Sequence, residues 1–87
     1  MKLKSTIVLR KIAGETILVP VGEDALRING LITVNAVGAL LCEQLNRERT
    51  TEELVSVVTE QFDVDAKTAR EDIALFVQTL KEHDLLE

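Results

Sequence analysis

His83 and Cys42 are the only imidazole and the only thiol in this 87-residue sequence. Together they would make the smallest nucleophile–base pair of a thiol enzyme, in which the imidazole takes the thiol proton and a third group orients the imidazole. A zinc site would need clustered cysteines and histidines, and these two stand far apart in the chain. Acid–base chemistry could also draw on the adjacent carboxylates Glu23-Asp24, Glu52-Glu53 and Glu71-Asp72. Gly14, Gly22, Gly30 and Gly38 are too scattered to form a phosphate-cradling loop. Each candidate has a structural reading as well. His83 falls in the last turn of a helical pattern, where the helix dipole favours an imidazolium. Cys42 follows Leu40-Leu41 as a small core residue, and the carboxylates read as solvated helix faces. The sequence is therefore expected to carry no catalytic centre, no metal ligands and no cofactor.

The elements that would position these residues change character near Asn35. Before it, β-branched runs alternate with turn signals. Thr6–Ile12 reads as a first strand, Ala13-Gly14-Glu15 as a short turn and Thr16–Val21 as a second strand. Pro20 lacks an N–H for the ladder and belongs at a strand end or a free edge. After a break at Gly22-Glu23-Asp24, Leu26-Arg27-Ile28 resumes the pattern. Asn29-Gly30 is a hairpin signal, and Leu31-Ile32-Thr33-Val34 forms the third strand. Asn35 is an N-cap for a helix over residues 36–46, in which Gly38 costs about 1 kcal/mol against alanine and implies a close contact with a neighbouring backbone. Thr50 and Glu53 have capping-box spacing for a second helix over residues 51–61. Asp65 caps a third, over residues 66–83, with its apolar stripe on Ala69, Ile73, Phe76, Val77 and Leu80. The expected fold is α+β: one domain over residues 1–87, a three-stranded antiparallel sheet followed by three helices.

Composition narrows the function. Aromatics are 2% of residues and the formal net charge is −5, which disfavours both a base-stacking platform and a basic phosphate-binding surface. A single cysteine makes no internal disulfide. The basic N-terminus has no apolar run after it, and no stretch approaches the roughly 20 apolar residues of a membrane span. The chain is expected to be soluble and cytoplasmic, without nucleic acid or membrane as a partner. What remains is surface. Two successive hairpins place the third strand at a sheet edge, and Leu31-Ile32-Thr33-Val34 carries neither the Lys nor the Pro that usually blunts one. Such an edge invites strand addition by a peptide.

Several segments resemble the PqqD family of peptide-recognition proteins. They are the Ile32-Thr33-Val34-Asn35 junction with Gly38, Arg49-Thr50-Thr51-Glu52-Glu53-Leu54, Gln61-Phe62-Asp63-Val64-Asp65, Asp72 to Leu80, and the Leu85-Leu86 ending. One departure is Cys42 and its neighbours, where many members carry an aromatic residue in the first helix. The resemblance spans nearly the whole chain and implies a winged helix-turn-helix-like domain that acts as a non-catalytic module. Such a module takes the leader of a ribosomally made precursor as a further strand and delivers it to a modifying enzyme, often a radical SAM protein. It further implies a binding edge of Leu31, Ile32, Thr33 and Val34, faced by Arg70, Ile73, Ala74, Val77 and Lys81 on the third helix. In that arrangement Ala74 and Val77 would form shallow apolar pockets, and Arg70 and Lys81 would pair with leader carboxylates.

Two other readings suit the same pattern. A winged helix could bind DNA, although residues 51–61 contain no Lys or Arg. The third-strand edge could instead join two copies in a homodimer.

Overall fold

The structure, a computed structural model, describes residues 1–25 and 32–87. The expected Asn29-Gly30 turn, the run at Leu26–Ile28 and Leu31 lie outside the described residues.

Strand β1 (Ile7–Ile12) and strand β2 (Glu15–Pro20) pair antiparallel from Ile7↔Pro20 to Ile12↔Glu15. This register leaves Ala13-Gly14 as a two-residue loop with φ of +54° and +81°, the pattern of a type I′ turn. Glycine tolerates the left-handed region, but alanine pays about 1 kcal/mol there. Replacing Ala13→Asn should therefore raise stability by about 1 kcal/mol, because Asn-Gly is the preferred pair for this turn. The check is a higher urea midpoint at unchanged m-value.

Pro20 closes β2, the middle strand, where its missing N–H interrupts no interior rung. A 3₁₀ turn follows at Gly22–Ala25. Strand β3 (Ile32–Val34) pairs with β2 through Thr16↔Val34, Ile17↔Thr33 and Leu18↔Ile32, so the sheet order is β1-β2-β3. Alternation along the strands turns Ile7, Leu18 and Val34 inward, where all three are buried, and leaves Thr33 exposed on the other face.

Three helices cover the inner face. Helix α1 (Ala36–Gln44) ends two residues before the expected boundary, and helices α2 (Thr51–Gln61) and α3 (Ala66–Glu82) fall where the caps place them. Asn35 Oδ1 accepts from Gly38 N at 2.8 Å. Thr50 Oγ1 accepts from Glu53 N at 3.2 Å while Glu53 Oε1 accepts from Thr50 N at 2.9 Å. Asp65 Oδ1 accepts from Thr68 N at 2.7 Å. The valines of α2 are poor helix formers, and burial of Val55 and Val58 holds them in place. The core joins all three helices to the sheet through side chains such as Leu18, Leu41, Leu45, Leu54, Ile73 and Leu80.

The chain ends form a clamp. After α3, Asp84 takes φ +56°, Asp84 N donates to Lys81 O at 3.1 Å and Leu85 N donates to Leu80 O at 2.9 Å. This is a Schellman ending with aspartate where glycine is usual. It buries Leu85 and brings Leu86 into a β-bridge with Leu3, whose own N–H reaches Leu45 O at 2.8 Å.

Candidate functional site

Neither the thiol nor the imidazole belongs to a site. Cys42 is 1% exposed in the core, and burial, with Glu43 beside it, pushes its thiol up to about 12. The folded protein thus favours the neutral thiol. Its contribution to stability is present below the ordinary value of 9.0 and is lost as pH rises from there toward about 12. Ellman's reagent should leave native Cys42 unmodified and label it on unfolding. The urea midpoint should fall more steeply across that alkaline range in wild type than in Cys42→Ala. His83, the C-cap of α3, is exposed and its Nδ1 lies 2.9 Å from Thr79 O. Glu53 is committed to the capping box, and Glu52 receives Arg70 Nη2 at 2.9 Å and Nε at 3.2 Å. That pairing holds the Glu52 carboxyl below its usual range. Among the described residues no group of three or more His, Cys, Asp or Glu could hold a metal ion, and no helix is long and apolar enough to cross a membrane.

The sheet edge is a different matter. Among the described residues β3 pairs only with β2, so its outer edge is unpaired. Asn35 ends the strand and starts α1, which fixes the direction in which the helix leaves the sheet. Gly38 explains how closely α3 can come to this corner. A Cβ there would lie 3.0 Å from Val34 Cβ and 3.1 Å from the Phe76 ring. The close contact expected at Gly38 is real, but its partners are side chains and not a backbone. With Phe76 seated at the corner, α1 and α3 diverge around a groove of about 320 Å³. Asn35, Val37 and Leu41 form one wall, and Asp72, Leu75, Phe76 and Thr79 form the other. Leu75 is 70% exposed, the largest exposure among the big apolar side chains described. A larger concavity of about 640 Å³ lies under the hairpin end of the sheet, between Lys11, Thr16 and Glu43. It opens on the inner face of β2 and β3 and carries no comparably exposed apolar side chain.

The residues expected at the site are only partly brought together. Ile32 is half-buried, Thr33 is exposed and Val34 is buried along the strand, while Leu31 lies outside the described residues. On α3, Ile73 is 0% exposed and belongs to the core. Val77 is half-buried against the core, Ala74 and Lys81 are exposed, and Arg70 is tied to α2 through Glu52. At about 100° per residue, the buried stripe of Ala69, Ile73 and Leu80 separates two flanks of α3. Arg70, Ala74, Val77 and Lys81 occupy one flank, and the residues lining the groove occupy the other. Sequence reasoning missed Asp72, Leu75 and Thr79 as lining residues. The available signal was Leu75, a leucine standing outside the core stripe.

Comparison with known proteins identifies the fold and the family. No curated protein sequence matches the chain. The solved structure of TbiB1 in complex with the TbiA(beta) leader peptide is similar, at TM-score 0.79 and 25% identity over 100% of this chain and 95% of that one. Lasso peptide synthetase B1 complexed with the leader peptide has the same fold, at TM-score 0.76 and 21% identity over 99% and 95% of the two chains. The family model described as coenzyme PQQ synthesis protein D matches residues 15–86. With the sheet, the three capped helices and the strand-to-helix corner all in place, the chain belongs to the PqqD family.

Proposed function

We propose that this chain is a non-catalytic module that captures the leader segment of a ribosomally made precursor peptide and presents it to a modifying enzyme, of the radical SAM class or similar. The peptide adds as a strand at the free edge of β3, and its side chains on one face enter the groove between α1 and α3. The observation that carries this reading is a β3 edge, unpaired among the described residues, that ends at Asn35, where a groove lined by the exposed Leu75 and the half-buried Phe76 begins. A strand edge supplies main-chain register, and an adjacent apolar groove supplies side-chain affinity, which is the usual division of labour in strand addition. Membership of the PqqD family and the likeness to TbiB1, solved with a leader peptide, support it. Such chemistry belongs in the cytoplasm, where precursors are made. A DNA-binding role draws no support from α2, which has no Lys or Arg, or from Arg70, which is occupied by Glu52.

The test is an NMR titration with a leader peptide encoded beside this chain's gene. The amides of Ile32, Thr33 and Val34 should shift on saturation, together with those of α3 around Leu75. Saturable binding that leaves the β3 amides unmoved would sink strand addition. Sedimentation of the free protein addresses the competing use of the edge, since a homodimer formed through β3 would have to dissociate before peptide could bind.

A further inference from the structure

We propose that the groove selects a cationic segment: a bulky apolar side chain with lysine or arginine next to it. This inference rests on the peptide-binding reading of the groove and adds the chemical class of its occupant. The charges of α3 are sorted by flank. At about 100° per residue, Lys67, Arg70 and Lys81 fall together on the flank that carries the Arg70–Glu52 pair. Asp72 falls on the side of the groove, and Glu71 and Glu82 stand on the solvent-facing back of the helix beside the exposed Leu75. Asp72 itself lines the groove, and among the described residues its other lining is uncharged: Asn35, Val37, Leu41, Leu75, Phe76 and Thr79. Among the described residues Asp72 has no ion pair, in contrast to Glu52 and Glu53, which are matched by Arg70 and Arg49. The groove wall therefore has the opposite sign to the basic rim that Arg70 and Lys81 would have made.

Lysine and arginine suit this surface in two ways. Their aliphatic stems can lie along Leu75 while the charged head reaches Asp72 in water. The net charge of −5 adds a long-range attraction that speeds encounter with a basic segment and weakens as salt rises. An exposed pair of this kind is worth about a two- to fivefold change in affinity.

A displayed library of random peptides, panned on the wild-type protein and on Asp72→Lys, tests the inference. Wild type should enrich peptides in which Lys or Arg neighbours a bulky apolar residue. Asp72→Lys should shift that position toward Asp or Glu, and Lys81→Glu, on the opposite flank, should leave the preference as it is. A synthesised winner should bind Asp72→Asn about two- to fivefold more weakly than wild type at low salt, with the difference shrinking at high salt. Enriched peptides with no excess of basic residues, or a preference that Asp72→Lys does not move, would overturn the charge selection while leaving peptide binding intact. Failure to enrich any peptide would instead overturn the peptide-binding reading, and the charge selection with it.

Discussion

Ile73→Ala should destabilise the domain by about 2–5 kcal/mol, a large share of the roughly 5–15 kcal/mol that holds a small domain folded. Ile73 is 0% exposed in the middle of α3, among core side chains contributed by the other helices and the sheet. Truncation to alanine removes three carbons from a close-packed site whose neighbours cannot collapse into the void. The expected observation is a much lower urea midpoint with little change in m-value. Ile73→Val, a milder cut costing about 0.5–1.5 kcal/mol, should remain folded and bind peptide with wild-type affinity. If Ile73 instead touched the peptide, Ile73→Val would weaken binding while barely moving the urea midpoint.

The expectation that Ile73 faces the peptide shows what the sequence could and could not convey. The helices were legible because their signals are local. Asn35, Thr50 with Glu53, and Asp65 each place an acceptor within three residues of the N–H it satisfies. The stripe Ala69, Ile73 and Leu80 was legible as one face of α3 for the same reason. Which flank of that stripe turns toward the Asn35 corner is set by a long-range contact, Phe76 close against Gly38, and periodicity is unchanged if the helix rolls either way. The resemblance implies a binding rim at Arg70 and Lys81, and the pairing of Arg70 with Glu52 on α2 is a contact between helices that no local pattern shows. The clamp between Leu3 and Leu86 was hidden for a similar reason: a single bridge between distant residues leaves no pattern in either segment. Ala13 and Asp84 were hidden because each stands in a conformation for which the turn would ordinarily use another residue.

The described extent of β3 bears on where the affinity of an added strand would come from. Its described ladder covers three residues, Ile32–Val34. In an antiparallel sheet successive residues alternate in which neighbour their N–H and C=O face, so an added strand finds only a few main-chain partners along this edge. At roughly 1 kcal/mol net for each hydrogen bond, those partners fall short of the roughly 4–15 kcal/mol of freedom lost on association. On the proposed strand addition the remainder would come from side chains in the groove, where among the described residues the apolar surface that still faces water is mainly that of Leu75.

Leu75→Gln should therefore weaken leader binding by about five- to thirtyfold while leaving the fold intact. Full burial of a leucine is worth about 1.5–3 kcal/mol, and Leu75 keeps 70% of its surface exposed for a peptide to cover. That surface corresponds to about 1–2 kcal/mol, and each 1.4 kcal/mol is tenfold in affinity. Glutamine keeps the length and helix propensity of the position, so the urea midpoint should stay within about 0.5 kcal/mol of wild type, as for most surface substitutions. It also adds no charge, so the result does not depend on how basic the peptide is. Ala74→Gln supplies the contrast, one residue earlier on the helix and on the opposite flank. It should leave affinity unchanged if the peptide lies in the groove beside β3. Isothermal titration of both variants with the same leader separates the two flanks: a loss at Ala74→Gln with none at Leu75→Gln would move the binding surface to the side of α3 that carries Arg70 and Lys81.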